Sequence, residues 1–126
     1  MQMNDMILIS ADDHIIEPRG LFERHLAPRF RDRAPQIVTF AGGEQRWQFQ
    51  DKIIPTLASC AVAGRKRDEL GAEASNYQEL RTACYDIDAR VDDMNANGVL
   101  ASMCFPTLPG FAGQLFLDRG EPELML

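Results

Sequence analysis

Ile7-Leu-Ile-Ser-Ala-Asp-Asp-His-Ile-Ile-Glu-Pro18 is the stretch on which the fold turns. Its aliphatic start, Met6 to Ile9, has the make-up of a strand buried on both faces. The run ends in Ser10-Ala11-Asp12-Asp13-His14, a cluster of side chains able to bind metal. Alternate residues of a strand point the same way, so Asp12 and His14 are expected to project together and Asp13 to the other side. A carboxylate oxygen and an imidazole nitrogen so placed can share one divalent ion, each at about 2.0–2.2 Å if the ion is zinc. A catalytic zinc site usually has three protein ligands and a water, so further ligands must come from elsewhere. The same three residues also fit a polar strand-to-loop junction, with Asp13 capping a turn and His14 bonded to backbone.

Outward from this stretch, Pro18 and Gly20 bracket a turn. Leu21, Phe22, His25 and Leu26 have the spacing of a short amphipathic helix stopped by Pro28, with His25 a surface residue. Arg29-Phe-Arg-Asp-Arg33 is a basic segment closed by Pro35. It reads either as an anion site for a carboxylate substrate or as a solvated or subunit-facing surface with Asp32 and Glu23 as partners. Gln36–Phe40 and Gln45–Phe49 alternate polar and apolar around Ala41-Gly-Gly-Glu44, the pattern of a β-hairpin. Trp47 and Phe49 then share one face. Trp47 could stack on a substrate, although packing is the usual role of a lone tryptophan. Lys52 to Gly64 is apolar around Pro55 and suggests no particular element. Arg65–Glu69 is expected to be exposed, and Gly71–Asn76 is the best candidate for a mobile loop.

A second organised block begins at Asp86, a fitting N-cap, with Asp88 favourable toward the helix dipole. Ile87, Val91 and Met94 form an apolar stripe, and Asn97-Gly98 ends the helix. Val99–Phe105 is a near-continuous apolar run, expected to be a strand covered on both faces and parallel to Met6–Ala11. Pro106-Thr107 would stand at its carboxyl end, where α/β proteins bind ligands. Phe111–Leu117 could begin the next helix, with Gly120-Glu-Pro-Glu interrupting it.

Ser10–Pro18, then Leu21-Phe22, then Arg31-Asp-Arg-Ala-Pro35, and finally Asp86–Thr107 together resemble the amidohydrolase-2 family. These are metal-dependent (β/α)8-barrel enzymes of the amidohydrolase superfamily, related to aminocarboxymuconate-semialdehyde decarboxylase. The family opens with a strand ending in H-x-H, or D-x-H in one large subgroup, then a hydrophobic pair and Glu-Pro. The resemblance implies that Asp12 and His14 are the first metal ligands and that Thr107 belongs to the active-site wall. It also implies a hairpin insertion after the first strand, at 36–50. The ion would be Zn or Mn. The reaction would be hydrolysis of a C–N or C–O bond, or non-oxidative decarboxylation of an aromatic or unsaturated acid.

At 126 residues the chain suits one domain, yet a closed (β/α)8 barrel takes roughly 250 residues. The expected fold is therefore α/β, the N-terminal portion of a TIM barrel, with 1–126 an incomplete domain that is inactive alone. The remaining ligands would lie outside it, and only Asp13 and Glu17 are candidate proton-transfer groups within it. The net charge of −6 and a pI near 4.8 argue against nucleic acid or an anionic membrane as partner. A small-molecule substrate and a homo-oligomer are expected instead. The N-terminus lacks the pattern of a signal peptide. Cys60, Cys84 and Cys104 suggest no zinc ribbon or disulfide framework, so reduced thiols in the cytoplasm are expected. The rival reading is a small non-catalytic α/β module for binding or self-association.

Overall fold

The computed structural model describes residues 6–55, 57–58, 65–69, 74–110, 113–118 and 122–125. Two sheets organise them. One is a parallel pair, β1 (Leu8–Ile15) beside β5 (Val99–Pro106). The other is an antiparallel sheet of β2 (Gln36–Thr39), β3 (Gln45–Phe49) and the short β4 (Lys52–Ile53). Helix α1 (Leu21–His25) follows β1, and α2 (Ile87–Ala96) leads into β5. Short helices α3 (Gln114–Leu117) and α4 (Pro122–Met125) follow. The chain is thus mixed α/β with a parallel sheet, and its two most separated organised blocks pair as expected.

Strands β2 and β3 pair as an antiparallel hairpin, with Ile37 opposite Trp47 and Thr39 opposite Gln45. Its turn is closed by the Phe40 N–H bonding to the Glu44 carbonyl, at 2.8 Å, with Gly43 at φ 83°. That left-handed conformation is open to glycine at no steric cost. Gln45, Trp47 and Phe49 face inward, while Arg46 and Gln48 are half-buried. The core sits here: Trp47, Leu57, Ala58, Ala74, Tyr77 and Leu80 pack with Ile16 and Leu108. Phe22 meets Trp47 edge-on with ring centres 5.8 Å apart, and Phe49 meets Phe116 likewise at 5.4 Å.

The strands of the parallel pair depart from expectation. Met6–Ile9 and Val99–Phe105 read as covered on both faces, yet Ile7 is 71% and Leu100 69% exposed. Covering a parallel strand takes neighbours at both edges and layers on both faces. Among the described residues each of these strands has one neighbour, and α2 lies against one face.

Helix α2 begins as expected, the Asp86 carboxylate accepting from the Ala89 N–H at 2.9 Å. It ends at Asn97 with Gly98 at φ 68°. Its rotation differs from that implied by the apolar stripe, since Ile87 and Val91 are exposed. Arg90, Met94 and Asn97 instead line the cleft with Asp13 and Val99. An ion pair from Arg90 to Asp13, at 3.1 Å, holds this face of the helix toward the sheet.

Other segments also differ from their reading. Ala74 is buried in the core and the Ser75 carbonyl accepts the Gln45 N–H at 2.7 Å, so the end of Gly71–Asn76 is packed. Residues 71–73 lie outside the described residues. Within Lys52–Gly64, β4 extends the hairpin sheet and Leu57 and Ala58 enter the core, while 59–64, with Cys60, lie outside. Cys84 and Cys104 are free thiols. Helix α3 falls within Phe111–Leu117, of which 111–112 are outside the description, and α4 starts afresh at Pro122. Among the described residues no helix is long and apolar enough to cross a membrane.

Candidate metal centre

Asp12 and His14 stand near the carboxyl end of β1, and a slip in the β1–β5 ladder sets their direction. Ser10 pairs with Ser102 and Asp13 with Cys104, so Ala11 and Asp12 stand opposite Met103 alone. An extra residue of this kind bends a strand and re-aims its side chains. Strict alternation would put Ser10 on the side of Asp12 and His14. The bulge instead joins Ser10 to Asp13, and both Ser10 and Ser102 hydrogen-bond the Asp13 carboxylate.

On the other side, Asp12 Oδ1 and His14 Nε2 converge to 3.8 Å. Their side chains are 82% and 65% exposed, so both are open to a ligand. Two ligands on a tetrahedral ion at about 2.0–2.2 Å stand roughly 3.3–3.6 Å apart. The pair therefore fits one divalent ion after a small side-chain adjustment. Among the described residues no cluster of three or more histidine, cysteine or carboxylate groups forms. The His14 ring lies against Phe105 of β5, with centres 6.3 Å apart.

The two candidate proton-transfer groups are both committed elsewhere. Asp13 takes a 2.6 Å hydrogen bond from the Ser102 hydroxyl and pairs with Arg90. The Ser102 bond outweighs partial burial, and with the Arg90 charge it holds the carboxyl below its ordinary range. Glu17 is buried, at 5% exposure. Both its oxygens receive the Leu108 N–H at 3.0 Å, and the Thr107 N–H also supports the carboxylate. Burial nevertheless dominates and raises its pKa. Its own carbonyl accepts the Tyr77 hydroxyl at 2.6 Å.

Thr107 follows the end of β5, and its hydroxyl donates to the Ile15 carbonyl at 2.8 Å. It fastens the carboxyl ends of β1 and β5 together beside the Asp12–His14 pair. Trp47 is not brought to that pair. Its ring is 2% exposed in the hairpin core and presents no free face for stacking. Of the arginines of 29–33, Arg29 and Arg33 lie 4.6 and 5.4 Å over the ring of buried Phe30, and Arg31 Nε donates to the Leu26 carbonyl. Sequence reading passed over Gln45, whose buried side chain bonds Arg19, Thr39 and the Tyr77 N–H. Its place on the inward face of the hairpin, beside Trp47 and Phe49, was the available signal.

A parallel β/α unit with Asp12 and His14 side by side at the carboxyl end of its first strand defines an α/β fold with its candidate site at the strand ends. Among solved structures, this chain is similar to an amidohydrolase from Mycobacterium avium subsp. paratuberculosis K-10. The TM-score is 0.55 at 18% identity, covering 82% of this chain and 31% of that one. The likeness is one of fold, and the chain spans about a third of the structure that it matches. No family model and no curated protein matches the chain.

Proposed function

We propose that this chain is the first part of a (β/α)8-barrel enzyme of the amidohydrolase superfamily, amidohydrolase-2 type, in which Asp12 and His14 begin a divalent-metal site. The convergence of Asp12 Oδ1 and His14 Nε2 to 3.8 Å, open to solvent at the carboxyl end of a parallel strand, carries the proposal. A Zn or Mn ion bound there would supply an acidified water or polarise a substrate carbonyl or carboxylate. Asp12 and His14 would hold the ion, and the bulge at Ala11–Asp12 sets their common direction. Thr107 and Glu17 hold the strand ends in place. The further ligands and the acid/base would come from other barrel strands. The reaction class is hydrolysis of a C–N or C–O bond or non-oxidative decarboxylation of a small organic acid. The exposed apolar residues Ile7, Leu8, Ile9, Leu100 and Met103 favour this reading, because further strands and helices of a barrel would cover them.

The test is metal content by plasma mass spectrometry, on the full-length protein from its native source and on the Asp12→Ala and His14→Ala variants. One tightly held ion per chain, lost in both variants with the fold unchanged, is the expected result. A protein that holds no ion after dialysis against Zn or Mn, or variants that hold it as well as the parent, would sink the proposal. The non-catalytic self-associating module would then be the better reading.

A further inference from the structure

A second feature lies at the same end of the sheet and shares no residue with the Asp12–His14 pair. The turn after β1 and the segment entering α2 meet where the Ile16 N–H bonds to the Cys84 carbonyl, at 2.8 Å. Beside this junction is an open cleft of about 480 Å³, lined by Pro18, Arg19, Arg24, Tyr77, Tyr85 and Asp86, among others. That volume lies in the range of small-molecule sites.

The arginines are held in place. Arg19 lies 4.6 Å over the Tyr77 ring, and its Nη2 donates to Gln45 Oε1 at 2.7 Å. Gln45 is 7% exposed, and its remaining bonds, to Thr39 and to the Tyr77 N–H, lock its amide. Tyr77 is fixed in turn by Glu17 and by the edge of Tyr85, 5.3 Å between ring centres. Arg24 Nη1 donates to the Arg19 carbonyl at 2.9 Å. A surface arginine ordinarily loses much side-chain freedom when it grips a ligand. For Arg19 that cost is met in advance by the largely buried network of Gln45 and Tyr77.

Neither guanidinium has a carboxylate partner among the described residues. Asp86, the acidic group on the cleft, turns its carboxylate to the Ala89 N–H at the start of α2. Each arginine uses a single N–H in the bonds above, so most of its fork remains for a planar anion. Pro18 and Tyr85 offer an apolar wall for an attached organic body.

We propose that this cleft is a binding site for a small organic carboxylate, its anionic group held by Arg19 and Arg24 and its apolar body resting against Pro18 and Tyr85. The site does not depend on the metal proposal. The experiment follows the arginine Nε–Hε signals of the ¹⁵N-labelled full-length protein during titration with benzoate. Acetate, inorganic phosphate and chloride serve as comparisons at constant ionic strength. Benzoate should shift the Arg19 and Arg24 signals saturably and bind more tightly than acetate or phosphate. Arg19→Ala and Arg24→Ala should each weaken it by about tenfold or more, as expected for loss of a charge-assisted hydrogen bond.

Arg24 is exposed on α1, so its variant keeps the test valid should Arg19→Ala disturb packing on Tyr77. His14→Ala should leave benzoate binding unchanged, which separates this site from the metal centre. Shifts that chloride reproduces, equal affinity in Arg24→Ala, or phosphate binding tighter than benzoate would overturn the proposal.

Discussion

Replacing Glu17 removes the carboxylate on which the two loops at the strand ends converge. In Glu17→Ala the Leu108 N–H, at a residue only 7% exposed, loses its acceptor and gains no water. The Thr107 N–H loses its acceptor too, but at a half-buried residue that water can partly reach. An orphaned buried donor costs about 1–3 kcal/mol, and each lost buried methylene adds about 0.8 kcal/mol. Together, with a smaller share for Thr107, these give a destabilisation of about 2–5 kcal/mol. Glu17→Gln keeps one acceptor and removes a desolvated charge, so it should cost no more than about 1.5 kcal/mol at pH 7.

The two substitutions also differ in their response to pH. Burial raises the Glu17 pKa above its ordinary 4.5, so the folded state holds the proton more tightly than the unfolded chain. The stability from that proton is full below 4.5 and is lost as pH rises through the folded value. Glu17→Gln should lack this fall. Trp47 is the only tryptophan and is buried in the same core, so its fluorescence during urea unfolding reads the transition directly. Glu17→Ala within about 1 kcal/mol of the parent, or no gentler result for Glu17→Gln, would refute the reasoning.

Two further substitutions probe how α2 is seated. Asp13→Ala leaves Arg90, 12% exposed and with Nε already lacking a partner, without its carboxylate. Since Asp13 is itself 39% exposed, the cost should be about 1–2 kcal/mol, less than for a fully buried pair, read as a lower melting temperature. The Asp13 pKa is lowered, so its contribution is full above 3.8 and is lost as pH falls through the folded value. The gap between parent and variant should therefore narrow in acid, and a gap independent of pH would contradict the assignment. Asp86→Ala should cost about 1 kcal/mol through loss of the bond to the Ala89 N–H. An unchanged urea midpoint would show that α2 does not rely on this cap.

What could be read from the sequence was local. Asp86 and Gly98 mark α2 because capping and left-handed turns act within a few residues. The hairpin follows from alternation around Gly42-Gly43, and the shared direction of Asp12 and His14 from their spacing. The remainder depended on partners far along the chain. The bulge at Ala11–Asp12 exists only in register with β5. The role of Glu17 depends on Leu108, 91 positions away. Helix α2 is turned by Asp13, which its own apolar stripe does not reveal. Gln45 looked like one more polar residue of a hairpin until Arg19 and Tyr77 were set against it.

Three bonds join β1 and its following loop to β5 and its following loop: Ser102 to Asp13, Thr107 to Ile15 and Leu108 to Glu17. They span 89, 92 and 91 positions. Bringing together the ends of a flexible loop of that length costs roughly 4 kcal/mol in chain entropy on the length dependence alone. The cost falls on whichever bond forms first, and the other two then form between groups already neighbours. The hairpin and its core lie inside this excursion, so their collapse shortens the distance that the first bond must close. The three bonds consequently act as one cooperative clasp, and the loss measured on cutting one depends on whether the others are intact.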